Sequence, residues 1–278
     1  MSSYAAIVSD EMLGHYTSSG YERERLSTRG GPLELLRTQV LLQRFLPPPP
    51  AVVLDVGGGP GVYSAWLARL GYEVHLVDFV PLHARMAREQ SAEQPDRPIR
   101  SAGTADARRL PFREGTADAV LLLGPLYHLT ERDDRLLALS EAHRAVRDDG
   151  LVFCAAISRF ASVLDGLRND LFADPDFVEI AKQDLATGQH RNETDKPMYF
   201  TTAYFHHPDE LGAELLETGF QNEGTFGIEG PGWLLHNLDQ LLANNTSREE
   251  LLTALQWIEQ EPTLIGASAH LLAVGRKV

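Results

Sequence analysis

Val52-Val53-Leu54-Asp55-Val56-Gly57-Gly58-Gly59-Pro60-Gly61 is the stretch on which the fold of this chain turns. An apolar run that closes on an acid and passes at once into glycines reads as a buried strand entering a tight turn. Tyr63, Trp66, Leu67 and Leu70 then recur at helical spacing and stop at Gly71, so the unit is strand, glycine turn, helix. Glycines permit a tight turn and let a ligand approach bare backbone, and the start of a helix offers unpaired N–H donors. The unit predicts a nucleotide-like ligand at the carboxyl end of its strand.

Outward from this stretch the pattern repeats. Strands are predicted at 73–78, 99–105, 118–124 and 150–157, with helices at 81–90 and 132–147 between them. Short apolar strands alternating with helices mean a parallel sheet covered on both faces. The predicted fold class is α/β, a doubly wound, mostly parallel seven-stranded sheet of Rossmann-like form with helical lid insertions. Upstream, Pro47 to Pro50 form a stiff connector that ends a helix over 33–45. Residues 1–50 are therefore read as an N-terminal helical cap and 51–158 as the ligand-binding core. Residues 159–278 carry the remaining strands in the same domain, with lid insertions at about 159–200 and 232–262. Within this last part a helix is predicted over 159–189, a strand over 198–205, a helix over 209–218, strands over 221–228 and 270–275, and a helical insert over 233–259.

The bulk numbers exclude several classes. The chain has 278 residues, 43% hydrophobic and 23% charged, with a mean hydropathy of −0.21, which is ordinary for a globular protein with a real core. With 25 Lys and Arg against 39 Asp and Glu, the formal net charge is −14 and the mean field repels nucleic acid and anionic lipid. A single cysteine, Cys154, lies in an apolar strand and is read as a small buried hydrophobe, in keeping with a reducing cytoplasm. Neither a signal peptide nor a membrane span is visible, and cytoplasmic localisation is expected. Zinc-ligand spacing is missing, and Asp133-Asp134 and Asp148-Asp149 read as a helix start and a solvated turn, so no metal is expected.

Spacing and charge also bear on the ligand. A dinucleotide fingerprint read from Gly57 and Gly59 puts Val62 where a small residue belongs, and Asp55 would repel a pyrophosphate. A cationic, phosphate-free ligand would not be repelled. The stretch around Asp55, Gly57, Gly59 and Gly61 resembles motif I of the class I S-adenosylmethionine-dependent methyltransferases, and the resemblance extends over roughly residues 52–158. It implies S-adenosyl-L-methionine as cofactor and S-adenosyl-L-homocysteine as product. By the same resemblance Asp78, followed by Phe79, takes the ribose hydroxyls, Asp106 with Ala107 reads the adenine edge, and Leu123 and Gly124 lie beside the methionine moiety. The segment from Tyr16 to Leu26 resembles one that closes over the cofactor, with Tyr16 and Arg25 as further cofactor contacts, Arg25 pairing the methionine carboxylate.

Methyl transfer from a sulfonium needs positioning first and a base only where the acceptor arrives protonated. His128 is the candidate base, its alternative being a stacking or capping residue, and Tyr127 orients the methionine end or touches substrate. His206 is a second candidate, although adjacent histidines point to opposite sides of a strand and His206-His207 before a proline also reads as a polar turn. Tyr199, Phe200, Tyr204, Phe205, Trp233 and Trp257 give the lid segments an aromatic bias that suits an apolar or cationic small molecule or simple packing. The run after the fourth strand, Gly124-Pro125-Leu126-Tyr127, lacks the Asn/Asp-Pro-Pro-aromatic pattern of base-amine methyltransferases. The reading is methyl transfer to O or N of a small-molecule acceptor, with nucleic acid disfavoured, no membrane partner, and a homodimer compatible with the sequence. The alternatives are a cofactor-binding protein without turnover, an RNA-modifying methyltransferase, and a nicotinamide oxidoreductase, which the glycine spacing and Asp55 oppose.

Overall fold

The computed structural model describes Leu26, residues 31–194 and residues 196–278. Tyr16 and Arg25 lie outside the described residues. Helix α1 (Gly31–Phe45) is followed by β1 (Val52–Val56), α2 (Val62–Leu70), β2 (Glu73–Asp78), α3 (Pro81–Ala92), β3 (Ser101–Thr104) and β4 (Ala117–Leu122). A four-residue turn of helix, α4 (Pro125–His128), leads to α5 (Arg132–Ala145) and to the long strand β5 (Val146–Ser158). Then come α6 (Ala161–Asn169), α7 (Pro175–Thr187), β6 (Gln189–His190), β7 (Ala203–His206), α8 (Pro208–Glu217), β8 (Phe220–Gly227), α9 (Leu238–Ala243), α10 (Asn245–Ile258) and β9 (His270–Lys277).

The main sheet runs β3-β2-β1-β4-β5-β9-β8, with β1 to β5 parallel and β9 antiparallel to both of its neighbours. These seven strands are the doubly wound, mostly parallel sheet that the sequence predicts. Among the described residues two more strands extend it, because β5 continues past the sheet and pairs through Ile157 and Ser158 with β7, which in turn pairs with β6. Alternate residues feed opposite cores. Leu54, Val120, Leu122, Val152, Cys154 and Ala156 pack on one face, and Val53, Ala119, Leu121, Leu151, Phe153 and Ala155 on the other. Burying a side chain such as Phe153 contributes roughly 1.5–3 kcal/mol, and Phe153→Ala would cost about 3–5 kcal/mol. Cys154 is 0% exposed, and burial pushes its thiol far above the usual value.

Three expected elements break. The helix predicted over 159–189 is interrupted at Asp170, which takes a left-handed φ of 56°, and restarts where Asp174 caps the amide of Asp176 ahead of Pro175. The strand predicted over 198–205 is reduced to β7, because Pro197–Tyr199 form a 3₁₀ turn and Phe200 has φ 68°. The insert predicted over 233–259 begins as a 3₁₀ turn and splits into α9 and α10, where Asn244 caps the amide of Ser247.

The second insert packs on α1. Leu33 of α1 meets Leu238 and Leu255 in a small apolar cluster, and the buried Arg37 pairs with Glu259 while donating from Nε to the Ile228 carbonyl at 2.9 Å. Further along α1, Leu41 and Leu42 join the core on the Val53 and Phe153 face of the sheet. No helix among the described residues is long and apolar enough to cross a membrane.

Candidate active site

The glycine turn is held open by its own geometry. Gly57, Gly59 and Gly61 have φ of 69°, 56° and 93°, values that L side chains rarely adopt. A Cβ on Gly57 would lie 2.5 Å from Cγ of Pro125, so the turn and α4 approach as closely as bare backbone allows. Gly61 caps α2 and packs on Ala87.

Three acids surround this turn in different ways. Asp55 lies beneath it, 1% exposed, and accepts a 2.6 Å hydrogen bond from the Ser64 hydroxyl. Burial pushes its carboxyl up to about 6, the Ser64 bond pulling it back and the charge of Asp78 adding to the rise. Asp78 closes β2 and holds the turn in place: Oδ2 accepts from the Gly59 amide at 2.8 Å, and Oδ1 accepts from the Val80 amide at 2.8 Å and lies 3.1 Å from Nδ1 of His83. Asp106, after β3, is clasped by Arg108, whose Nη2 donates to Oδ2 at 2.6 Å and whose Nη1 donates to Asp134 at 3.0 Å. Partial burial would raise the Asp106 carboxyl, but the bonds and charge of Arg108 outweigh it and hold it below the usual range.

A cleft of roughly 720 Å³, including its solvent-open part, lies over these residues at the carboxyl ends of β1 to β4. Of the residues singled out in the sequence, Gly57, Gly59, Asp78, Phe79, Asp106, Ala107, Gly124, Tyr127 and His128 all line it. Asp55 does not; it supports the turn from below. Leu123 instead lines a second, much smaller cavity, of roughly 290 Å³ including its solvent-open part, that shares Tyr127 as a wall.

His206 is not brought to either cavity. It is 0% exposed, with Nε2 3.4 Å from Glu214, and burial pushes it below the ordinary histidine value. Glu214 also accepts from the buried Arg135, whose guanidinium sits 3.8 Å over the ring of Tyr204 and donates to the carbonyls of Leu129 and Thr130. His206 thus belongs to a buried network that ties α5 to α8. Its neighbour His207 caps α8 by donating its amide to Glu210 at 2.7 Å.

Of the aromatic residues of the inserts, Tyr199, Phe205 and Trp233 are packing groups and Trp257 is exposed. Tyr199 packs on Phe177, Phe205 stacks on His190 at 4.6 Å, Trp233 donates to the Ala267 carbonyl, and Trp257 is 79% exposed. Phe200 comes nearest the cleft, its ring 6.1 Å from that of His128.

The second cavity was not foreseen from the sequence. Glu34 and Thr38 of α1, Tyr63 of α2, Tyr127 and Ala155 line it together with Ile228 and His270. Glu229, 2% exposed, accepts from Nδ1 of His270 at 2.6 Å, and Oε2 of Glu34 lies 3.9 Å from the same nitrogen. Burial would raise the Glu229 carboxyl, but the charge of His270 and the hydrogen bonds from His270 and Ser268 hold it below the usual range. Glu34, Glu229 and His270 bring one donor atom each within 4.8 Å of one another, but the Nδ1 edge of His270 is taken up by the bond to Glu229. No local motif marks these residues, which meet only because α1 crosses the sheet and β9 runs antiparallel.

Known proteins resemble the chain as follows. Residues 54–154 match the model of a family described as "Methyltransferase domain". The malonyl-[acyl-carrier protein] O-methyltransferase of Geobacter sulfurreducens is 31% identical over 182 residues, 64% of this chain and 58% of that protein, so the match spans less than two thirds of that relative. The demethylmenaquinone methyltransferase of Beutenbergia cavernae is 30% identical over 201 residues, 70% of this chain and 76% of the relative. The crystal structure of an S-adenosylmethionine dependent methyltransferase from Mesorhizobium loti has the same fold, with a TM-score of 0.56 and 17% identity over 91% of this chain and 100% of that one. The two relatives are named for unlike acceptors.

Proposed function

Since the chain belongs to the class I S-adenosylmethionine-dependent methyltransferase family, we propose that it transfers a methyl group to O or N of a small-molecule acceptor, with S-adenosyl-L-homocysteine as the other product. The observation that carries this reading is the cleft at the strand ends, where a glycine turn that tolerates no side chain meets Asp78 across a 2.8 Å bond.

The residues fit the cofactor. A carboxylate has about four lone-pair sites, and Asp78 spends three on Gly59, Val80 and His83, leaving capacity for ribose hydroxyls at the cleft. Asp106 and Ala107 take the adenine edge, with Phe79 beside it. Gly57 and Gly59 present backbone to the methionine end, next to Gly124. The acids at the cleft favour a cationic ligand without phosphate. When bound, the cofactor supplies an activated methyl on a sulfonium, so the chain's task is to hold acceptor and methyl in line and to keep water out. Tyr127, the shared wall of the two cavities, is the group that orients the methyl toward the acceptor side, with His128 behind it. Residues 51–158 form the cofactor core, and the inserts after Ser158 with the N-terminal helix form the cover.

Calorimetric titration of the protein with S-adenosylmethionine and S-adenosylhomocysteine tests the reading. Binding of both is expected, with S-adenosylhomocysteine released on incubation with S-adenosylmethionine and a panel of small hydroxyl and amine acceptors. Absence of binding at millimolar cofactor would sink it, and binding without product across the panel would favour a cofactor-binding protein without turnover.

A further inference from the structure

We infer that Arg135 is a positioning residue for methyl transfer: its guanidinium fixes the turn from Tyr127 to Thr130 at the wall of the cofactor cleft and joins that turn to β7 and α8 behind it. The inference rests on the methyltransferase reading and adds to it a residue that lines neither cavity.

The turn cannot hold itself. α4 has four residues, Pro125–His128, too few for a helix to stand without outside partners. Leu129 and Thr130 lie between α4 and α5, and their carbonyls fall outside the bonding of either helix. Arg135 supplies the missing partner from the first turn of α5. Its Nη1 donates to the carbonyls of Leu129 and Thr130, each at 3.0 Å, and Gln189 of β6 donates to the Thr130 carbonyl at 3.0 Å as well. Tyr127, His128 and Leu129 all line the cleft, so the position of one guanidinium sets a stretch of its wall.

The other end of Arg135 is anchored as firmly. Nε and Nη2 donate to Oε1 of Glu214 at 3.0 and 2.8 Å, and the guanidinium carbon lies 3.8 Å from the centre of the Tyr204 ring. Tyr204 is held in turn by Glu210, 3.1 Å from its hydroxyl, and by Arg159, which donates to that hydroxyl at 3.2 Å. Burial would raise the Glu214 carboxyl, but the hydrogen bonds and charge of His206 and Arg135 outweigh it and hold it below the usual range. Arg135 and Glu214 are therefore a charged pair, both buried. Replacing such a pair by apolar residues of similar volume is often neutral or stabilising, so stability does not account for it. An apolar side chain cannot donate to two successive carbonyls while bridging to a third element, and the planar fork of arginine can.

For the reaction the consequence is geometric. Displacing the Leu129 and Thr130 carbonyls moves Tyr127 and His128 relative to the glycine turn, on which Pro125 packs too closely to admit a side chain at Gly57. Holding methyl and acceptor in line tolerates little such movement, since a misplacement of about 1 Å costs about a hundredfold in rate. Arg135 acts only through the turn, from the far side of the wall.

The test uses the full chain with S-adenosylhomocysteine as the probe, read by calorimetry, denaturant unfolding, hydrogen exchange and nuclear magnetic resonance of ¹⁵N-labelled histidine. Arg135→Lys keeps the charge but replaces the fork by a single ammonium, and Arg135→Met combined with Glu214→Leu fills the space with apolar groups. Both variants should bind S-adenosylhomocysteine about tenfold more weakly than wild type. The amides of residues 126–130 should exchange about tenfold faster, while those of β1 and β4 keep their protection. In the bound state the ring signals of His128, which packs 4.6 Å from the Tyr127 ring, should shift, while those of His75 at the other edge of the sheet stay in place. The double variant should do all this with an unfolding midpoint at or above that of wild type, which a merely structural role for the pair does not allow. Affinity within twofold of wild type in either variant, unchanged exchange at 126–130, an unmoved His128 signal, or weaker binding accompanied in both variants by faster exchange throughout the sheet would each overturn the inference. Failure of the wild-type chain to bind S-adenosylhomocysteine overturns the methyltransferase reading instead.

Discussion

The two cavities that meet at Tyr127 are built by different means. The cofactor cleft is made of strand ends and the turns directly after them, and its central bond, Gly59 to Asp78, joins residues 19 positions apart. The second cavity gathers side chains from α1, α2, α4, β5 and β9, and the bond that seats α1 over it, Arg37 to Ile228, spans 191 positions. Parallel topology places every turn of the first at one edge of the sheet, so its chemistry follows from chain order. Docking of a helix against the last strand makes the second. A few side chains on α1 and around β9 can therefore redraw the second cavity while the cleft at the strand ends stays constant.

The largest expected effect tests whether the two cavities are separate units. Removing one partner of a buried ion pair costs about 3–5 kcal/mol, and since Arg44 still pairs with Glu259, Arg37→Ala should lose stability at the lower end of that range in thermal or denaturant unfolding. The folded variant should still bind S-adenosylhomocysteine within about threefold of wild type; a tenfold loss would make the two cavities one cooperative unit.

Asp55 comes next. Its folded carboxyl sits at about 6 against an ordinary 3.8, so the folded state keeps a proton that the unfolded chain releases. The stability this contributes is fully present below pH 3.8 and is lost as pH rises through about 6, a swing of about 3 kcal/mol. In Asp55→Asn the melting temperature should fall less than that of wild type between pH 4 and 7, and parallel curves would contradict the assignment.

Smaller effects rank the acids within the cofactor cleft. Asp78→Ala should weaken cofactor binding about tenfold to a hundredfold in calorimetry, since it also frees the Gly59 amide of the turn. Asp106→Ala should cost less, about threefold to tenfold, because its carboxylate is already spent on Arg108. A reversed order would move the cofactor's main polar anchor to the adenine side.

The same division explains what the sequence made legible. The glycine turn, Asp78, Asp106, Gly124 and the strands around them could be read because each depends on neighbours a few positions away. Asp55 belongs to the glycine motif that the sequence singles out, but strand alternation turns it beneath the turn toward Ser64. Leu123 was grouped with Gly124, yet the two face different cavities. For His206 and His207 alternation does send one inward, but to Glu214 and Arg135 in the core and away from the cleft. Thr38, Glu229 and His270 had no local signal, since their meaning depends on where β9 starts and where α1 lies.

The 191-residue span between Arg37 and Ile228 also sets an order in time. Closing a loop costs about 0.6 kcal/mol more for each doubling of length, so this corner pays about 2 kcal/mol more chain entropy than the closure from Gly59 to Asp78. In refolding, the glycine turn is expected to gain protection from hydrogen exchange before α1 does, a sequence that pulse labelling would read. A chain that assembles in this order completes the cleft at its strand ends before it closes the chamber beside Tyr127.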